Sequence, residues 1–384
     1  MSAMRLGHLF AGLFLAAAVI AVPAVPAQNK DEKKVEKKDD DKKKDDKKDK
    51  DDIKEEVSIE TYDGISLKGD FYKGSKGATS NVVMILPEFG KDRTKGDWDS
   101  LARKLVDEGL AVLIFDFRGH GASTRIIDPT KFWQQEVNAK RIKGGGPMSK
   151  KETLSLKDFG PNYFPWLIQD IAAARRFLDL KNDAAECNVS NLIVIGSKEM
   201  AALGYLWMTS EWNREAVAQN AGAVIGAVQP APSKMAGTDL ACGVWLSFSS
   251  SPLGLNMPYT PQANDQMKQM LADARKVPHL FLYGADDRTG ATAANYMYTN
   301  VLKATTGTPK LDTFTFKKDV GKTNLTGVEL LGKSGALTTE DLIVKYVIDK
   351  VAQKRGNMVR FNRNANMAPF NYTSLAKIGF VNWP

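Results

Sequence analysis

Residues 191–202 constrain this chain more than any other stretch. Leu192, Ile193, Val194 and Ile195 form an apolar, β-branched run that stops at Gly196. A short polar knot follows at Ser197, Lys198 and Glu199, and then a helical pattern that includes Ala201, Ala202, Leu203, Leu206 and Trp207. A strand with no polar alternation is buried on both faces. Joined to a helix by a tight turn, it belongs in a sheet covered by helices on both sides.

The flanking sequence supplies that sheet. Residues 57–61 and 65–72 alternate apolar and polar around the turn at Asp63-Gly64, which predicts a hairpin. Residues 81–86 and 111–115 are continuous apolar strands. Between them, 97–108 has helical periodicity, with Trp98, Leu101, Ala102 and Leu105 on one face and Gly109 as its stop. Residues 166–180 form an amphipathic helix before the 191–196 strand. Further strands are expected at 243–248, 279–283 and 311–316, with helices at 262–275, 292–303 and 339–353. Residues 124–162 read as an excursion that exposes Gly144-Gly145-Gly146 and several lysines. Phe132 and Trp133 within it either cover a pocket or belong to a plain surface insertion. Phe361, Phe370, Tyr372, Phe380 and Trp383 make the tail too apolar to be free, so it is expected to pack back onto the domain.

Two segments give this alternation a family likeness. Asp116-Phe117-Arg118-Gly119-His120-Gly121-Ala122-Ser123 resembles the D-x-R-G-H-G-x-S loop that follows the fourth strand of α/β-hydrolases. The 191–207 stretch resembles the strand–turn–helix of their nucleophile elbow. The loop 86–90 stands where the family carries its oxyanion loop, and Asp170 resembles an aspartate on the helix before the elbow. The resemblance runs from about 57 to 354. It implies an eight-stranded, mostly parallel α/β-hydrolase sheet and a serine triad to be looked for.

The triad positions depart from that pattern. In G-x-S-x-G the nucleophile stands two residues after the first glycine, which here is Lys198; Ser197 is one residue early. Met200 occupies the second small position, so the turn is expected to be relaxed or rebuilt. Of the three histidines, His8 lies near the N-terminus, His279 sits deep in a strand, and His120 belongs to the loop after the fourth strand. The resemblance places the catalytic histidine near 326, where Thr326 cannot take a proton at neutral pH. Asp287 keeps the acid position and either caps the next helix or pairs with a cation. Lys198 is expected to pair with Glu88 or with Asp287, and a Lys198–Asp287 pair would plug the site. In the oxyanion loop Pro87 has no N–H and Glu88 brings a negative charge, which leaves the amide of Phe89. These departures imply an inactive hydrolase scaffold that binds a small molecule or an envelope component. The alternative is a hydrolase of ester or peptide-like substrates using Ser197, another nucleophile or a lysine-based site. No cofactor or metal is implied.

The ends and the charge add the setting. Arg5, the apolar run 9–22 and the small residues before Gln28 read as a signal peptide over 1–27. Export to the periplasm or beyond is therefore expected, with membrane contact only if the signal stays uncleaved. Residues 28–55 read as a disordered linker ahead of a domain from 56 to 384. Residues 30–56 hold 12 Lys against 13 acidic residues, so the net charge of +8 lies elsewhere. Thinly spread, with Lys140, Arg141 and Lys143 as one tighter cluster and no interleaved aromatics, it points away from nucleic acid. Cys187 and Cys242 are the only cysteines. Export permits a disulfide between them, and two buried thiols are the other reading.

Overall fold

A computed structural model describes residues 53–212, 237–250, 253, 274–302, 315–321, 323–332, 338–352, 355 and 358–363. The signal and nearly all of the linker, all but the last two residues of the 262–275 helix, and the tail aromatics from Phe370 onward lie outside these residues.

Strands β1 (Lys54–Glu60) and β2 (Ile65–Tyr72) form the expected hairpin, with Ile59 opposite Leu67. Lys54 and Glu55, at the end of the expected linker, already pair with Tyr72 and Phe71 in this hairpin. Next come β3 (Asn81–Leu86), α1 (Trp98–Asp107) and β4 (Ala111–Phe115). Gly109 closes α1 at φ +86°, a conformation that costs glycine nothing. After the excursion, α4 (Ile168–Asp183) leads into β6 (Asn188–Ser197) and α5 (Lys198–Glu211). The remaining strands are β7 (Leu240–Leu246), β8 (His279–Tyr283) and β9 (Phe316–Asp319). α6 (Arg288–Tyr296) follows β8 and runs on as a wider turn to Leu302, and α7 (Thr339–Lys345) does the same to Ala352.

The sheet runs β1-β2-β4-β3-β6-β7-β8-β9. β2 is antiparallel to its neighbours and every pairing from β4 to β9 is parallel. The strand order reverses between β4 and β6, so the carboxyl end of β6 opens at the position where ligands bind in such sheets. Alternate residues of each strand feed two cores. Val82, Met84, Leu192 and Val194 join one; Val83, Ile85, Ile193 and Ile195 join the other. β6 is buried along its whole length, as a central parallel strand must be.

The excursion is more tightly held than its glycines and lysines suggested. A ninth strand, β5 (Arg125–Ile126), pairs with β2. It is followed by α2 (Pro129–Gln134), capped by Asp128 accepting from the amide of Lys131 at 2.9 Å, and α3 (Glu136–Arg141). Phe132 and Trp133 do not lie on the surface; both are buried in the first core. Near the C-terminus, the backbone carbonyls of Met358, Val359 and Phe361 accept from Asn188, Ser190 and Asn182. The docking is polar: Phe361 itself is exposed.

Cys187 and Cys242 are both buried and both free. They belong to different cores, so the sheet lies between them and they do not bridge. Burial raises both thiols above their ordinary range.

Candidate functional site

Three strand ends and one loop converge at the carboxyl edge: the β3 loop, the β6–α5 turn, the end of β7, and the segment around Thr326. The β6–α5 turn is not relaxed. β6 runs extended through Ser197, and Lys198 then takes φ +47° as the first residue of α5. That left-handed apex on a lysine is the strained geometry of a nucleophile elbow. Strand and helix still nearly touch, since a Cβ on Gly196 would lie 2.8 Å from the Cα of Ala201. Met200 does not spread them; its side chain is buried in the first core.

Lys198 finds its partner across the edge, and the partner is Glu88 rather than Asp287. Its Nζ lies 3.1 Å from Glu88 Oε1, which also takes Lys91 Nζ at 3.2 Å. Glu88 Oε2 accepts from the Ser197 hydroxyl at 3.3 Å and from the amide of Val328 at 3.4 Å. One carboxylate with a side chain only 6% exposed therefore gathers two ammonium groups, one hydroxyl and one amide. Burial of a charge demands such partners. Ser197 is fully buried, and its hydroxyl donates to a carboxylate, not to an imidazole.

The β3 loop is aimed by His120. The amide of Gly90 donates to His120 Nε2 at 3.0 Å, so the proton rides on Nδ1, which faces the Arg118 carbonyl at 3.0 Å. Burial lowers the imidazole pKa below its ordinary value and keeps the ring neutral for this task. Phe89 packs edge-on against the same ring. Arg118 anchors the loop from below. It donates to Asp170 Oδ1 through Nε at 2.7 Å, to Asp170 Oδ2 through its amide at 2.9 Å, and to Asp63 through Nη1 at 2.7 Å. Burial would push the Asp63 carboxyl up, but Arg118 holds it below the usual range. His279 is buried and accepts from Trp245 Nε1 at 3.1 Å. His8 lies outside the described residues.

Asp287 caps α6. Its Oδ1 accepts from the amide of Gly290 at 2.8 Å, while Oδ2 is buried with no hydrogen-bond partner. Thr326 stands where the resemblance puts the histidine, beside the same cavity as Lys198 and Asp287. That cavity measures about 190 Å³, and its lining includes Lys198, Glu199, Ser247, Asp287, Thr289 and Thr326. No histidine lines it. Among the described residues no group of His, Cys, Asp and Glu could hold a metal ion, and no helix is long and apolar enough to cross a membrane.

Sequence reasoning missed Ser247. It follows β7 directly, sits at φ +46°, and its hydroxyl accepts from the amide of Gly327 at 2.8 Å. The run Ser247-Phe248-Ser249-Ser250 after an apolar strand was the available signal.

Sheet order, parallel core and strained elbow together define the α/β-hydrolase fold. Solved structures similar to the chain include a dienelactone hydrolase of Anabaena variabilis, at 13% identity and TM-score 0.44, covering 77% of this chain and 98% of that one. An esterase of Pyrococcus furiosus matches at 13% identity and TM-score 0.41, over 79% and 92% of the two chains. A putative hydrolase of Agrobacterium vitis matches at 11% and 0.38, over 70% and 90%. At these values the likenesses concern the fold and transfer neither activity nor residue roles. No family model and no curated protein matches the chain.

Proposed function

We propose that this protein is an exported hydrolase-fold protein without hydrolase activity, acting by binding at its former catalytic edge. The observation that carries this reading is the Lys198–Glu88 pair. The elbow apex holds an ammonium group, already engaged by a buried carboxylate. An ammonium group has no lone pair with which to attack a carbonyl. The described histidines support the reading too, because both ring systems are committed to other partners. Export is supported by the N-terminal charge and hydropathy pattern alone, and the binding role by the cavity that remains.

The test is a fluorophosphonate probe on the native protein, beside a panel of ester, lipid and peptide substrates. The expected result is no labelling above a heat-denatured control and no turnover. Labelling that disappears in Ser197→Ala or Ser247→Ala would overturn the proposal and make this a serine hydrolase with an unusual site.

A further inference from the structure

We propose that the loop 143–151 of the excursion is a docking surface for an anionic phospholipid bilayer, with Met148 entering the headgroup region and the lysines around it facing lipid phosphates. This inference goes beyond the reading above and does not depend on whether the edge at Lys198 is catalytic.

Folding concentrates positive charge on this face. Residues 140–158 hold six basic residues against two acidic ones, a net of +4 and half of the chain's formal +8. Lys143 is separated in sequence from Lys151 and Lys157, and the fold brings them together. The Lys143 amide donates to the Asp158 carbonyl at 2.9 Å, and Lys151 Nζ reaches the Lys143 carbonyl at 3.5 Å. Lys140 answers Glu136, and Lys151 answers Asp158. Lys143, Lys150 and Lys157 are exposed and have no ion pair among the described residues. Clustered free cations of this kind are drawn to a surface of anionic headgroups.

The same loop presents an apolar tip. Met148 is 90% exposed, and no other large apolar side chain among the described residues exceeds 67%. Pro147 beside it is exposed as well. A Cβ on Gly144 or Gly146 would meet nothing within 4 Å, so the tip stands clear of the domain. Its shape is nevertheless fixed. Ser149 closes the neck, its amide donating to the Gly146 carbonyl at 3.0 Å and its hydroxyl to the Gly144 carbonyl at 3.1 Å. At the base, Trp133 Nε1 donates to the Lys151 carbonyl at 2.9 Å, and Ile142 and Leu154 are anchored in the first core. A preformed loop lowers the ordering cost of binding. Ile127, a second exposed apolar residue, stands opposite Lys151 in the antiparallel register that pairs Arg125 with Thr153. The combination selects a bilayer over a soluble polyanion. A polyanion in water answers the lysines and leaves Met148 hydrated. At a bilayer surface the same approach takes the methionine out of water, while the lysine heads stay at headgroup level. A modest apolar insertion joined to a basic patch is the two-part signal of reversible surface anchoring.

Vesicle sedimentation of the full chain at low salt provides the test, with vesicles of equal parts phosphatidylglycerol and phosphatidylcholine beside vesicles of phosphatidylcholine alone. The N-terminal apolar run can bind lipid too, so each comparison is between the protein and a loop variant. A polarity-sensitive dye on Met148→Cys reports the tip itself, because the two native cysteines are buried. The expected result is binding that favours the anionic vesicles, shifts the dye emission to the blue and is lost at high salt. Lys143→Glu combined with Lys150→Glu should weaken binding at least about tenfold, since each basic residue near such a surface is worth roughly fivefold. Met148→Ser should weaken vesicle binding about threefold or more and leave binding of polyphosphate unchanged. All three sites are exposed, so the variants should keep the parent circular dichroism. Equal vesicle binding by the protein and the double lysine variant, or by the protein and Met148→Ser, would overturn the proposal. So would a dye that stays in water on sedimented vesicles; with tight polyphosphate binding, that result would make the patch a site for a soluble polyanion. Phosphonate labelling at the edge bears on none of these outcomes.

Discussion

The left-handed backbone at Lys198 can be weighed against a pair of variants. Lys198→Ala and Lys198→Gly both delete the ammonium and lose the Glu88 contact equally, so their difference isolates the backbone. At an ordinary helix position glycine is about 0.5–1 kcal/mol less stable than alanine. At φ +47° the order reverses. Holding an L-residue in the left-handed region costs about 1–2 kcal/mol, a cost that alanine keeps and glycine sheds. Glycine gives back about 0.4–1 kcal/mol through its larger unfolded-state entropy. The net expectation is that the glycine variant is more stable by about 0.5–1 kcal/mol. In urea unfolding, with m near 3 kcal/mol/M, this is a midpoint about 0.2–0.3 M higher for glycine at equal m. An alanine variant as stable as the glycine variant, or more so, would refute the argument and mean that the turn has opened into an ordinary helix start.

Two further outcomes follow from the surrounding contacts. In a double-mutant cycle of Glu88→Leu and Lys198→Met, either single change leaves a charge behind in a largely closed site, whereas the double change leaves none there between them. With the lysine side chain 27% exposed, solvent screening reduces the coupling to about 1–2 kcal/mol, and denaturant unfolding that shows additivity within about 0.5 kcal/mol would contradict it. His120 gives a pH signature: burial holds its folded pKa below the ordinary 6.5, so below that pH the unfolded chain takes a proton that the native state refuses. Native stability should therefore fall as pH drops from 6.5 toward the folded value, by at most about 1.4 kcal/mol per pH unit. His120→Gln should lack that slope, and a slope that persists in the variant would place its origin elsewhere.

The strand pattern could be read from the chain because β-branched runs ending at Gly or Asp need no tertiary information. The positions of Lys198 and Asp287 at one edge followed from strand ends in the same way, and that of Thr326 from the family resemblance. Which carboxylate Lys198 would choose did not follow. That choice depends on where the β3 loop points, and the loop is aimed by the Gly90–His120 bond between segments 30 residues apart. The strain at 198 was likewise hidden, because a lysine announces no positive φ where a glycine would. For Cys187 and Cys242 the sequence left a bridge and two buried thiols both open, and the second holds. Both lie near neighbouring strands, but a bridge depends on which face each side chain takes, and these two take opposite faces. The excursion misled through composition. Its glycines and lysines are indeed at the surface, while Phe132, Trp133, Ile142 and Leu154 inside it are core residues.

Gly327 links the Lys198–Glu88 pair to the segment where a catalytic histidine would be sought. It sits at φ +59°, and a Cβ there would lie 2.5 Å from Glu88 Oε2, 2.7 Å from Ser197 Oγ and 2.8 Å from Lys198 Cε. The loop therefore closes over the ion pair with no room for even one added carbon. A serine introduced at 198 would leave Glu88 short of one of its two cations. A glycine introduced at 88 would strand Lys198, and a histidine introduced at 326 would meet a segment already clamped against both. Each such change taken singly is penalised by the residues left unchanged. The three segments are thus coupled, so that a serine triad cannot be built at this edge one substitution at a time without loss of contacts.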